Sequence, residues 1–118
     1  MRLLICGDRF WGNERAIEIL LDTIKPDVLI HGGCKGADEI AGRIAAGVYT
    51  EEIIVFKANW KVEGRAAGPI RNKRMLVEGK PDLVVAFHPD LTKSKGSANM
   101  VLLARQAGVP TLVISEGG

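Results

Sequence analysis

The residues of this chain best equipped for chemistry cluster around glycines. Lys35-Gly36-Ala37-Asp38 sets a cation and a carboxylate on either side of a Gly-Ala pair, after Gly32-Gly33-Cys34. Ser94-Lys95-Gly96-Ser97, preceded by Thr92-Lys93, arranges lysines and hydroxyls around a single glycine. Gly68-Pro69-Ile70-Arg71-Asn72 carries an arginine and an amide where Pro69 suits the first turn of a helix. Glycine permits unusual backbone angles and close approach of a ligand, and the N–H groups at a helix start favour an anion. Gly33, Lys35, Gly36 and Ala37 therefore make one candidate phosphate cradle, and Lys95, Gly96 and Ser97 a second, with Ser97 able to donate its hydroxyl or cap the helix. Arg71 can grip a phosphate or carboxylate through two N–H bonds, a geometry lysine cannot reproduce. Asn72 offers a donor and an acceptor. The plainer readings are a tight turn whose helix terminus Asp38 satisfies, a solvated polar loop, and a surface arginine. A carboxylate repels phosphate, so Asp38 is assigned to sugar hydroxyls or to structure.

Other side chains bring different possibilities. Arg9, Phe10 and Trp11 follow the first apolar run, and in a chain with only 5% aromatics a loop tryptophan is a candidate for base stacking, as is Trp60; core packing or a subunit contact competes. Asp8, Asp38, Glu63 and Asp90 are the acids that catalysis could draw on. Glu63 lies in a glycine-rich segment expected to be flexible enough to swing over a pocket. His31 and His88 have no partners spaced for a metal, and His31 reads as structural. Cys6 and Cys34 are too few for a zinc site; buried thiols are the plain reading, a nucleophilic Cys34 near a helix start the sharper one.

The elements that must position these groups alternate strictly. Leu3-Leu4-Ile5-Cys6, Val28-Leu29-Ile30, Ile53-Ile54-Val55-Phe56, Leu83 to Phe87 and Thr111 to Ile114 read as strands. Between them, Ala16, Ile17, Leu20, Leu21 and Ile24 form a helical stripe with Asn13 as N-cap and Pro26 as stop, and Ala37, Ile40, Ala41, Ile44 and Ala45 form a second. A third helix is expected from Pro69 to about Gly79 and a fourth from Ser97 to Ala107, with a glycine-rich, charged connection from Lys57 to Gly68. This β-α-β-α-β-α-β-α-β order implies an α/β, three-layer Rossmann-like fold with a five-stranded parallel sheet of order 3-2-1-4-5. The strand order would reverse between the first and fourth strands, where ligands bind in open α/β sheets. Gly7 to Trp11 and His88 to Ser97 would flank that point.

The 118 residues fit one domain with a genuine core. With 16 basic and 14 acidic side chains, the net charge of +2 gives no reason to expect a nucleic acid. No stretch reaches membrane-spanning length and none resembles a targeting peptide, so a cytoplasmic location is expected. No G-x-G-x-x-G follows the first strand, which disfavours a dinucleotide oxidoreductase.

Gly7-Asp8-Arg9-Phe10-Trp11, His31-Gly32-Gly33 with Lys35-Gly36-Ala37-Asp38, Ala58-Asn59-Trp60, Ala67-Gly68-Pro69-Ile70-Arg71-Asn72 with Met75, and Gly96-Ser97-Ala98-Asn99-Met100 follow one another over nearly the whole chain. Together they resemble the SLOG superfamily, specifically its short YspA-type (cpYpsA-related) branch, distantly related to the LOG phosphoribohydrolases. The resemblance implies a Rossmannoid pocket for a nucleotide or an ADP-ribose-like nucleotide derivative, serving sensing or sequestration. Gly7 and Arg9 would sit at the switch point. Amides from Gly33 to Ala37 and at Gly96 and Ser97, with Arg71 and Lys95, would hold phosphates, Asp38, Asn72 and Asn99 would orient ribose or base, and Trp60 would stack. The related phosphoribohydrolases cleave an N-glycosidic bond with a glutamate three positions after a Gly-Thr pair. Here Gly96-Ser97 is followed by Met100, whose thioether cannot do a carboxylate's work. A hydrolase of nucleoside phosphates, with Asp38, Asp8 or Glu63 supplying the acid, is the alternative. No cofactor and no metal are expected; a homodimer is, from apolar positions on more than one face of the last helix.

Overall fold

A computed structural model of the protein describes residues 1–115. Five strands, β1 (Arg2–Gly7), β2 (Val28–His31), β3 (Glu52–Val55), β4 (Leu83–Phe87) and β5 (Thr111–Ile114), form one sheet of order β3-β2-β1-β4-β5 in which every pair is parallel. This is the expected Rossmann-like topology. Its helices are α1 (Glu14–Ile24), α2 (Ala37–Ala45), a short α3 (Trp60–Glu63), α4 (Ala67–Val77) and α5 (Gly96–Gln106).

Strand alternation sorts the core into two layers. On one face Leu3, Ile5, Leu29 and Val85 pack with α1 and α2 residues such as Ile17, Leu21 and Ala41. On the other, Leu4, Cys6, Ile30 and Val84 pack with Met75 of α4 and Met100 and Ala104 of α5. A strand buried on both sides needs apolar residues at successive positions, which is why β1 and β4 read as unbroken hydrophobic runs rather than alternating ones. The edge strands β3 and β5 are only partly covered.

Local signals act as their chemistry requires. Asn13 caps α1 by accepting the Ala16 N–H at 3.2 Å, and α2 opens on Gly36, whose φ of 80° belongs to the left-handed region and whose missing Cβ leaves room for the backbone of Asp8 and Arg9. Two expectations are corrected. The stretch from Lys57 to Gly68 is not a flexible connection: the Asn59 side chain accepts the Val62 N–H at 3.3 Å and starts α3, and a 3-10 turn at Gly64–Ala66 runs into α4. Glu63 is thereby fixed in a helix. Trp11 is 2% exposed, stands edge-on to Phe87 with centroids 5.4 Å apart, and donates its indole N–H to the Asn13 carbonyl at 2.9 Å. It is a core residue and cannot stack on a ligand.

Candidate functional site

The parallel sheet brings the loops after β1, β2 and β4 to one edge, and there the backbone of Gly32 is held from both sides. Its N–H donates to Asp38 Oδ2 at 2.8 Å, and its carbonyl accepts from Arg71 Nη1, also at 2.8 Å. A Cβ on Gly32 would run into the Arg71 guanidinium, so only glycine allows this approach. Arg71 Nη1 also points at Cys34 Sγ, 3.6 Å away, and Nε donates to Asn72 Oδ1 at 2.9 Å. Asn72 Nδ2 in turn donates to the Gly96 carbonyl at 3.1 Å and to Asn99 Oδ1 at 3.0 Å. One hydrogen-bonded chain thus ties α2 and the β2 loop to α4 and α5. Of the guanidinium nitrogens only Nη2 has no partner among the described residues.

Beside this chain lies a cavity of about 720 Å³. Arg65, Arg71 and Lys95 give it positive charge, and no carboxylate contributes to its lining. Trp60, 59% exposed, forms part of its wall, its ring 3.3 Å from where a Cβ of Gly68 would lie. A recess of about 70 Å³ shares Cys34, Arg71 and Gly96 with the cavity and reaches down to Gly7, Asp38 and Ser97. Burial pushes the Asp38 carboxyl up to about 6, against the lowering effect of the Gly32 N–H and of Arg71. Burial, and secondarily the Asp38 charge, also raises the Cys6 thiol, which marks it as an inert core thiol. His31 accepts the Gly33 N–H on Nδ1 at 3.0 Å, and burial lowers its pKa.

The site therefore brings together Trp60, Arg71, Lys95, Gly96 and Asn99 around the cavity, and Gly7, Asp38, Asn72 and Ser97 around the recess. Other candidates lie apart from both. Arg9 and Lys35 are exposed outside the lining, Gly33 and Gly36 shape the turn, and Ala37 is wholly buried in the core. Asp8 accepts the Phe10 N–H at 3.0 Å, and neither it nor Glu63 lines the cavity or the recess.

The backbone cradles need correction. The Gly33 amide is taken by His31 and the Ala37 amide by the Asp8 carbonyl at 3.2 Å. At α5 it is Ser94, not Ser97, that caps: its Oγ accepts the Ser97 N–H at 3.0 Å and the Ala98 N–H at 3.3 Å. Arg71 Nε and Nη1 are likewise spent on Asn72 and Gly32, leaving only Nη2 without a partner among the described residues. Positive charge comes instead from side chains, including Arg65, which sequence reasoning passed over. Its only signal was a cation three residues before Gly68, and the expectation of a flexible connection concealed it.

The order of strands and the basic cavity at their carboxyl edge define a Rossmann-like α/β protein with a ligand-sized, electropositive site. Residues 1–62 match the YspA, cpYpsA-related SLOG family. The chain is also 34% identical, over 120 aligned positions covering 94% of each chain, to the Gene 61 protein of Mycobacterium phage D29. The chain belongs to the YspA, cpYpsA-related SLOG family, whose superfamily is associated in general with nucleotide-related ligands, through binding or hydrolysis. No helix among the described residues is long and apolar enough to cross a membrane, and no group of three or more His, Cys, Asp or Glu there is placed to hold a metal.

Proposed function

We propose that the protein binds a nucleotide or an ADP-ribose-like nucleotide derivative in the cavity at the carboxyl edge of its sheet, for sensing or sequestration. The observation that carries this reading is the charge of the cavity: Arg65, Arg71 and Lys95 line it without a carboxylate, beside an exposed indole. An anion with a flat apolar body is the ligand chemistry that such a wall complements. A volume of about 720 Å³ lies within the usual range for small-molecule sites. The chain would act as a single cytoplasmic domain, and exposed Ile70 and Val77 on α4 and Leu102 on α5 support self-association into a homodimer.

A thermal-shift panel of nucleotides tests this, with stabilisation expected for at least one anionic nucleotide and lost in Lys95→Ala combined with Arg65→Ala. Absence of any shift, together with no nucleotide released from the purified, denatured protein by mass spectrometry, would refute it. The N-glycosidic or phosphoribosyl hydrolase remains a second reading because Asp38 is a buried carboxyl held up to about 6 beside the cavity, suited to giving up a proton near neutrality. Release of free base from a nucleoside monophosphate, abolished in Asp38→Asn, decides for it.

A further inference from the structure

We propose that the recess beneath the cavity is a subsite for a pair of adjacent hydroxyls, so that this protein selects ligands bearing an intact ribose cis-diol over their deoxy counterparts. The inference rests on the nucleotide reading above and assigns the sugar end of the ligand to a place that reading left open.

The recess is small. At about 30 Å³ per water in the liquid, a recess of about 70 Å³ has room for about two hydroxyl-sized groups. A nucleobase needs more. Its polar atoms restrict the ligand further. Ser97 is 6% exposed and its hydroxyl has no nitrogen or oxygen partner among the described residues, yet no buried side-chain nitrogen or oxygen there is orphaned. Ser97 lines the recess, and its hydroxyl, with the Cys6 thiol as a hydrogen-bonding neighbour, keeps a lone pair for a ligand there. Arg71 lines both the recess and the cavity, and its Nη2 has no partner among the described residues. Asp38, 4% exposed, supplies a carboxylate with one oxygen engaged by the Gly32 N–H. Asn72 is fully committed to Arg71, Gly96 and Asn99.

What remains is an acceptor, a donor and a hydroxyl that is both. A phosphate oxygen cannot donate to Asp38 and is repelled by it, whereas each hydroxyl of a diol can donate to the carboxylate and accept from Arg71 or Ser97. Met75 closes part of the remaining wall with an apolar side chain, and the Cys6 thiol beside it shares a hydrogen bond with Ser97. The phosphates then extend from the shared rim toward Lys95 and Arg65, away from Asp38.

Titration of the wild-type protein with two ligand pairs tests the subsite: ADP against 2′-deoxy-ADP, and ribose 5-phosphate against 2-deoxyribose 5-phosphate. Because hydrogen bonds to charged groups are the strong ones, a preference of about 10-fold or more for the ribo form is expected in both pairs. It should shrink toward parity in Ser97→Ala and Asp38→Asn; the wild-type comparison stands even if a variant fails to fold. Equal affinity within each pair overturns the diol subsite and leaves nucleotide binding intact. Discrimination between the sugar phosphates without binding of either nucleotide overturns the nucleotide reading and keeps the subsite. A preference unchanged in both folded variants places the diol elsewhere, and no binding of any of the four at millimolar concentration overturns both proposals.

Discussion

Asp38 makes folding stability depend on pH in a direction opposite to that of an ordinary salt-bridged carboxylate. Its carboxyl stands at about 6 in the folded chain against 3.8 for an unburied one, so between these values the native state holds a proton that the unfolded state has released. Stability from this group is complete below about pH 4 and is lost as the pH rises through about 6. At about 1.36 kcal/mol per pH unit the loss amounts to about 3 kcal/mol by neutral pH. Asparagine resembles the protonated acid and cannot titrate. The stability of wild type relative to Asp38→Asn should therefore fall by about 3 kcal/mol between about pH 4 and pH 7, or roughly 10 °C in Tm for a chain of this size. Thermal unfolding of both chains by circular dichroism, in matched buffers across that window, measures the difference and cancels every titration that they share. Parallel curves would refute the reasoning, since they would mean that Asp38 ionises as readily inside the protein as outside. A difference growing in the opposite direction would mean that Arg71 and the Gly32 N–H outweigh burial.

Other perturbations separate the parts of the site. Gly32→Ala should drive the Arg71 guanidinium from the Gly32 carbonyl and cost about 2–4 kcal/mol in chemical denaturation, because it leaves a buried charge without its acceptor; a loss below about 0.5 kcal/mol, within the range of ordinary surface substitutions, would show that the guanidinium moves freely. Ser94→Ala removes the acceptor of the Ser97 and Ala98 amides and should cost about 1 kcal/mol, whereas Ser97→Ala should leave the cap intact; equal losses would contradict the capping assignment. Nucleotide binding should change Trp60 fluorescence and vanish as a signal in Trp60→Phe, where buried Trp11 is the remaining indole, while Trp60→Ala should weaken binding by about 1–3 kcal/mol. Unaltered affinity in Trp60→Ala would remove the indole from the site.

Residues close in sequence made some of these features legible and hid others. Asn59 and Asn13 each cap a helix within three residues, but only Asn13 stood before an obvious apolar stripe; the turn begun by Asn59 was masked by the glycines and charges around it. Trp11 and Trp60 look alike as loop aromatics. What divides them is Phe87, distant in sequence and brought beside Trp11 by the pairing of β1 with β4. Likewise, the Ser94-Lys95-Gly96-Ser97 run announces a helix start without saying which serine caps it.

The chain alone determined the order of strands and helices, the parallel sheet and the edge at which the glycine loops emerge. These follow from hydrophobic period, punctuation by glycine and proline, and the handedness of βαβ crossovers, all of which act over short stretches of chain. Tertiary structure decided which polar groups stay free at the cavity. Arg71 meets Gly32 across 39 positions and Asn72 meets Gly96 across 24, and each bond made between distant segments removes a donor that local sequence would have offered to a phosphate. Buried polar groups must be satisfied, so the atoms left over for chemistry can be found only after the fold has taken its share.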